Sequence, residues 1–186
     1  QGLESAGWDC LFASDIDAEA VSTLHENKGR KISDGAACFA QKAVLHHGDV
    51  RELTAEAILD ATDRSKGQVP LMVGGPPCQS WSSAGHQKGL DDPRGTLFRD
   101  FVRLADDCGC RLVLFENVRG MLTARGPDGD PGGALRLIRS TLWEHGFYST
   151  VGLLNAADFG VPQRRVRLFI IGYRDCARPE FPSPTH

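Results

Sequence analysis

Several short stretches of this sequence gather residue types that do chemistry. Gly74-Gly75-Pro76-Pro77-Cys78-Gln79 sets a thiol after two glycines and two prolines. The glycines permit a tight turn, and the prolines stiffen it and fix the direction of the cysteine. A thiol held this way suits nucleophilic attack, although an ordinary thiol is only slightly ionised at neutral pH and needs activation by its surroundings. The alternative is a tight turn with an incidental cysteine. Phe115-Glu116-Asn117-Val118 supplies a carboxylate which, if walled by Phe115 and Val118, would hold its proton more tightly and act as a proton donor. A solvated glutamate at a strand end is the alternative there. In Gly160-Val161-Pro162-Gln163-Arg164-Arg165-Val166-Arg167, strand alternation points Arg165 and Arg167 to one face and Val166 and Leu168 to the other. Paired guanidiniums suit a carboxylate, a phosphate or a base oxygen, unless they merely charge an edge strand against aggregation. Asp15 and Asp49 each follow an apolar run. Strand-end carboxylates hold ribose hydroxyls in dinucleotide folds, and an acid can equally accept from an adenine amino group or simply cap a helix.

The elements that must position these groups follow from periodicity. Residues 10–14 read as a strand, and Asp17 caps a helix to about residue 27. Residues 43–46 form a short strand, Thr54 opens a helix to about residue 62, and 69–73 is a strand. Leu97, Phe98, Phe101, Val102 and Ala105 recur at helical spacing behind Thr96 as a cap. Residues 111–115 are an apolar strand, 133–145 a helix with Leu135, Ile138 and Leu142 on one face, and 150–154 and 166–172 the last strands. This alternation predicts an α/β sheet with helices on both faces. Functional groups in such sheets gather at the carboxyl ends of strands, so Asp15, Asp49, Cys78 and Glu116 are expected along one rim. There is no internal repeat. The Pro-rich stretch 178–186 reads as a departing linker, leaving 1–177 as the domain.

Composition narrows the function classes. With 186 residues the chain has room for one compact domain with a real core. Its 41% hydrophobic and 24% charged content is that of a globular protein, with no apolar run long enough to span a membrane and no leader pattern. A cytoplasmic or nucleoid location is expected. A net charge of −3 argues against coating nucleic acid through bulk electrostatics. Arg164, Arg165, Arg167, Arg174 and Arg178 lie close in sequence, however, and phosphate contact needs only a local positive face. The six cysteines show no Cys-x-x-Cys pair and no regular framework, so buried free thiols are expected and no metal site.

Taken in order, these pieces resemble the cytosine-5 DNA methyltransferases over nearly the whole chain. Gly2-Leu3-Glu4-Ser5-Ala6-Gly7 resembles the helix after the family's first, glycine-rich motif; Asp15-Ile16-Asp17 matches the second and Gly48-Asp49-Val50 the third. Gly75-Pro76-Pro77-Cys78-Gln79 with Ser82, Ala84 and Gly85 matches the nucleophile motif, and Asp92-Pro93-Arg94-Gly95-Thr96-Leu97 the next. Glu116-Asn117-Val118 and Gln163-x-Arg165-x-Arg167 follow. Pro-Cys-Gln, Glu-Asn-Val and Gln-x-Arg-x-Arg in that order are highly specific.

The resemblance implies a Rossmann-like, mostly parallel sheet that binds S-adenosylmethionine and acts on double-stranded DNA. Cys78 would add to C6 of a flipped-out cytosine, Glu116 would hold N3 and the amino group, and Arg167, supported by Arg165, the base oxygen. Asp15 would take the ribose hydroxyls, Asp49 the adenine amino group, and Ile16 would pack on the adenine. Val50, Gly75, Pro76 and Leu97 would complete the cofactor pocket, while Pro77, Gln79, Ser80, Ser82, Asn117 and Gln163 would face the substrate. Residues 79–97 resemble the mobile loop that closes over the flipped base. Asp15 departs from the family's more frequent Glu by one methylene. The family also begins with a strand and a Phe-x-Gly-x-Gly turn and continues past Tyr173 into a target-recognition region, and neither pattern occurs in this chain. The sheet is therefore expected to be incomplete at its N-terminal side, and the activity to need missing segments or a complementing chain. A tRNA cytosine methyltransferase, a thymidylate-synthase-like enzyme with its Pro-Cys turn, and a non-catalytic interaction module are the rival readings. The paired ribose and adenine acids argue against the second, and intact Cys78 and Glu116 against the third.

Overall fold

The computed structural model describes residues 1–32, 38–76 and 96–186, which divide into two compact units, Gln1–Ser65 and Lys66–His186. In the first unit, α1 (Gly2–Ser5), β1 (Phe12–Asp15), α2 (Ala18–Asn27), β2 (Val44–His47) and α3 (Ala55–Thr62) follow one another. β1 and β2 pair in parallel from Phe12 opposite Val44 to Asp15 opposite His47. The expected caps start both longer helices. The Asp17 carboxylate accepts the Glu19 and Ala20 N–H groups, and the Thr54 hydroxyl accepts that of Ala57. Each cap satisfies donors that the first helical turn leaves open.

The second unit holds β3 (Leu71–Gly74), α4 (Leu97–Asp107), β4 (Leu112–Val118), α5 (Gly133–Glu144), β5 (Tyr148–Asn155) and β6 (Val166–Tyr173). Its strands lie in the order β3-β4-β6-β5. β3 and β4 are parallel, while β6 runs against both β4 and β5, so one strand of the four is reversed. The β1–β2 pair and this sheet are separate among the described residues.

Strand alternation gives the four-stranded sheet two unlike faces. Val113, Phe115 and Asn117 of β4 share one face with Leu168 and Ile170 of β6, and all five are buried. α4 and α5 cover that face with Phe98, Val102, Ala105, Ile138 and Leu142. Phe101 packs on Phe115 with ring centroids 4.6 Å apart. Each fully buried large side chain here, such as Leu142, Leu168 or Ile170, contributes roughly 1.5–3 kcal/mol. The other face carries Glu116, Arg167 and Phe169. The segment expected as a departing linker lies along β5 on that side: the Phe181 ring occupies the space a Cβ at Gly152 would need, and the Thr185 and His186 N–H groups donate to the Asp158 carbonyl.

Far from Glu116 in the register, Arg174 ties the ends of four elements together. Its guanidinium donates to the Asp106 carboxylate, the Cys110 carbonyl at 2.8 Å and the His145 carbonyl at 3.2 Å, and lies 4.3 Å from the Phe147 ring centroid. His145 Nδ1 sits 3.1 Å from the same carboxylate. Burial alone would raise the Asp106 carboxyl, but the hydrogen bonds from Arg174 and His145 outweigh it and hold it below the usual range.

Two local expectations change. The apolar run of β4 stops at Phe115, yet pairing with β6 continues to Val118 opposite Arg167, so Glu116 sits inside a strand instead of beyond its end. Thr96 precedes α4 but gives no side-chain cap bond.

Candidate active site

The charged face of β4 and β6 gathers three of the expected groups. Arg167 Nε lies 3.0 Å from Glu116 Oε1, and an Arg165 terminal nitrogen lies 3.9 Å from the same oxygen. Alternation explains the meeting: Val118 stands opposite Arg167 and Glu116 opposite Phe169, so residues 116, 118, 165 and 167 face the same way. The same geometry removes half of the expected wall, because Phe115 turns to the buried face. Glu116 is 39% exposed and Arg167 26%, which leaves both reachable by a ligand.

The turn before the cysteine runs beside this carboxylate and is moored by Asn117. Gly75 runs so close to Glu116 that a Cβ there would stand 3.3 Å from the Glu116 carbonyl oxygen and 3.6 Å from its carboxylate. Asn117 faces the opposite way, is 9% exposed, and donates from Nδ2 to the Pro76 carbonyl at 3.1 Å while its Oδ1 accepts the Val118 N–H. The side chain expected at the substrate thus braces the turn between β3 and β4. Pro77, Cys78, Gln79, Ser80 and Ser82 lie outside the described residues, as does all of the expected loop but Thr96 and Leu97. Leu97 opens α4, and Gln163 uses its backbone N–H on the Val161 carbonyl.

A further residue, Asn155, shapes the site and escaped the motif reading. Its Oδ1 accepts the N–H groups of Arg165 at 3.1 Å and Ala157 at 3.5 Å, and its Nδ2 donates to Asp158 Oδ1 at 3.0 Å. It closes the base of the loop that carries the arginine pair. An Asn followed three residues later by Asp, just past an apolar strand, is the signal that marks such a turn.

In the first unit, Asp15 ends β1 and Asp49 stands two residues beyond the end of β2, at the carboxyl ends of adjacent parallel strands. Between them in sequence Ile16 is 64% exposed, an unusual position for a large apolar side chain. Its carbonyl meets His47 Nε2 at 3.1 Å, which fixes the backbone. Asp15 spends one oxygen on the Asp17 N–H at 2.9 Å and retains the other. Two carboxylates flanking an exposed apolar residue fit an adenosine: acids for hydroxyl and amino donors, and a flat apolar surface for the base. Val50 is half-buried. Asp49 is itself engaged by Arg51, which donates from Nε to both carboxylate oxygens at 3.0 Å and from its backbone N–H at 2.9 Å. That side-chain hydrogen bonding, foremost, holds the Asp49 carboxyl at about 2.

Among the described residues no helix is long and apolar enough to cross a membrane. Known proteins resemble this chain over nearly its whole length. The chain is 36% identical to Type II methyltransferase M.FnuDI of Fusobacterium nucleatum, over 98% of this chain and 46% of that protein. It is 34% identical to Type II methyltransferase M.AquIA of Picosynechococcus, over 100% of this chain and 71% of that protein. It thus spans about half the length of M.FnuDI and a larger share of M.AquIA. A DNA modification methyltransferase encoded within an E. coli prophage superimposes with a TM-score of 0.68 at 26% identity, over 93% of this chain and 42% of that one. The S. pombe Dnmt2 methyltransferase (TM-score 0.63, 22% identity, 96% of this chain and 47% of that one) shares the fold. The fold is thus the Rossmann-like α/β fold of S-adenosylmethionine-dependent methyltransferases, and S-adenosylmethionine is the cofactor consistent with it. The profile of the C-5 cytosine-specific DNA methylases matches residues 1–185, and the chain belongs to that family.

Proposed function

We propose that this chain is the catalytic portion of a DNA cytosine-5 methyltransferase of the restriction-modification type, acting through a covalent bond from Cys78 to C6 of the target base. The observation that carries the reading is the meeting of Glu116 with Arg165 and Arg167 beside the moored Gly75–Pro76 turn, two residues before the cysteine. C6 is hidden inside a duplex, so the cytosine has to leave the stack, at a cost of roughly a few kcal/mol.

The Cys78 thiolate adds to C6, opening the C5–C6 double bond and sending its electrons toward C5. Arg167 leaves Glu116 for the base oxygen, and the Glu116 carboxyl, taking a proton from water as the pair opens, passes it to N3 as the ring accepts negative charge. Arg165 remains close enough to steady both. Asp15, Ile16, Asp49 and Val50 are the residues that would hold S-adenosylmethionine, with Gly75, Pro76 and Leu97 as further candidates, and the cofactor would supply an electrophilic methyl group for C5. Loss of the C5 proton to a water-borne base then returns the electrons to the ring and expels the Cys78 thiolate, while N3 hands its proton back to Glu116. Pro77, Gln79, Ser80, Ser82 and Gln163 contact the substrate in this reading, and Asn117 acts by bracing the turn.

Residues 1–177 are taken as a partial catalytic domain that needs further segments, or a complementing chain, for full activity. The test is transfer of a labelled methyl group from S-adenosylmethionine to duplex DNA and to tRNA. The chain alone is expected to give little product, and the completed protein to label C5 of cytosine in DNA. Robust transfer by the isolated chain would remove the claim of incompleteness. Transfer to tRNA in place of DNA would replace the substrate.

A further inference from the structure

The five arginines between residues 164 and 178 are sorted by what they hold. Arg165 and Arg167 are on Glu116, Arg174 is on Asp106, and an Arg178 terminal nitrogen lies 3.5 Å from the Thr150 hydroxyl. Arg164 is exposed, and among the described residues its guanidinium makes no hydrogen bond or ion pair. A second guanidinium in the same state, that of Arg119, opens the 3₁₀ turn Arg119–Leu122 directly after Val118. Val118 stands opposite Arg167, and the turn packs against β6. Two separate segments, one leaving β4 and one entering β6, thus bring uncommitted guanidiniums to the end of the sheet that holds Glu116. The carboxylates of the flanking segments are already engaged: Glu116 by Arg165 and Arg167, and Asp158 by the Asn155 amide.

We propose that Arg119 and Arg164 hold phosphodiester groups of the DNA backbone beside the target nucleotide. The proposal rests on the reading of Glu116, Arg165 and Arg167 as the groups that receive the base. Arg119 lies three residues past Glu116 and Arg164 three before Arg167, each at most about 10 Å of chain away. That spacing suits a nucleotide whose base sits at Glu116 while its backbone stays at the rim. Like charges gathered at one end of a sheet repel one another, and a bound anion relieves the repulsion. A guanidinium fork also matches two phosphate oxygens. Contacts of this kind set affinity and position but carry no sequence information, so the two arginines take no part in choosing the target. A chain with a net charge of −3 gains its hold on DNA from such a local patch.

The test is the salt dependence of DNA binding by the completed protein, read by fluorescence anisotropy of a labelled mixed-sequence duplex with S-adenosylhomocysteine present. Wild type is compared with Arg119→Gln, Arg164→Gln, their double variant and the Arg119→Lys/Arg164→Lys variant. Arg111→Gln is the control, because it removes the same charge from an exposed arginine just before β4, at the other end of that strand. Each glutamine variant is expected to lower the slope of log affinity against log salt by about 0.9, and the double variant by about twice that. The advantage of wild type over either single variant therefore shrinks about three-fold between about 0.05 M and about 0.2 M salt. The loss is the same on unrelated sequences. The lysine variant keeps the wild-type slope, since an ammonium neutralises a phosphate as a point charge, and Arg111→Gln keeps it as well. A wild-type slope in both glutamine variants, or an equal fall in Arg111→Gln, overturns the phosphate assignment; DNA methylation by the wild type then leaves the proposed function standing. A wild type that binds tRNA in place of DNA, with the same two losses of slope, upholds the phosphate contacts and replaces the substrate. Binding of neither nucleic acid overturns both.

Discussion

Replacing Asn155 by Ala removes the base of the arginine loop without touching a charged group of the site. Three hydrogen bonds are lost: those accepted from the Arg165 and Ala157 N–H groups and that donated to Asp158. Arg165 is exposed, so its N–H finds water, and the three losses do not sum. The net cost is about 1–2 kcal/mol, which lowers the melting temperature by roughly 3–6 °C. Asn155→Asp separates the two functions of the amide. It keeps the acceptor for both N–H groups but sets a second carboxylate where Nδ2 stood, 3.0 Å from Asp158 Oδ1. Two like charges at that spacing cannot both ionise cheaply. Asn155→Asp is therefore expected to be destabilised at neutral pH and to recover toward wild type as pH falls and one acid of the pair takes up a proton and can donate. Thermal melts across pH read the stability, and the amide resonance of Arg165 reads the local effect. In the completed protein Asn155→Ala also lowers the rate, because the guanidiniums opposite Glu116 lose their register. A melt within half a degree of wild type, with an unmoved Arg165 resonance, would refute the reasoning.

Other outcomes follow from the same structure. Arg174→Met leaves the Asp106 carboxylate with His145 and takes the guanidinium from the Cys110, His145 and Asp106 carbonyls, costing about 2–3 kcal/mol by melting, with no loss of the Glu116–Arg167 pair. Because Asp106 is held below its unfolded value, its stabilisation is present above about pH 4 and fades as pH falls through the lower folded value; the acid limb of a pH–stability curve should flatten in Arg174→Met. Gly133→Ala would place a Cβ 2.6 Å from the Gly126 backbone, a contact that no rotamer relieves; a loss of about 2–4 kcal/mol is expected, measured by denaturant unfolding. Burial pushes the Cys110 thiol up to about 12, whereas Cys176 is exposed. A thiol reagent at pH 8 should modify Cys176 promptly and Cys110 only on unfolding, as read by mass spectrometry.

Much of the fold was legible because apolar alternation and helix caps are local signals. The caps at Asp17 and Thr54 stand where Asp and Thr precede periodic stretches. β4 was truncated because Glu116 and Asn117 break its apolar run, and only pairing with β6 carries the strand through them. That pairing is a long-range fact with no local signature. The same cause explains the reading of Asn117: the motif identified the residue, but the face it occupies depends on which strand lies beside it. The linker reading of 178–186 failed to foresee Phe181 on Gly152, because the contact requires β5 to be in place first. Arg165 and Arg167, by contrast, point together by simple alternation and do so in the sheet. The engagement of Asp49 by Arg51 was open to inspection as an acid and a base two residues apart, but the motif drew attention to the acid alone.

The central claim is that Cys78 forms the covalent bond and that Glu116 and Arg167 assist it. Incubation of the completed protein with S-adenosylmethionine and duplex DNA carrying 5-fluorocytosine at the target position tests it directly, since fluorine cannot leave as the C5 proton does and the adduct persists. The account predicts a stable protein–DNA adduct mapped by mass spectrometry to Cys78, absent in Cys78→Ser and formed much more slowly in Glu116→Gln. An adduct that survives Cys78→Ser, or no adduct from a protein that still binds the DNA and the cofactor, would contradict it.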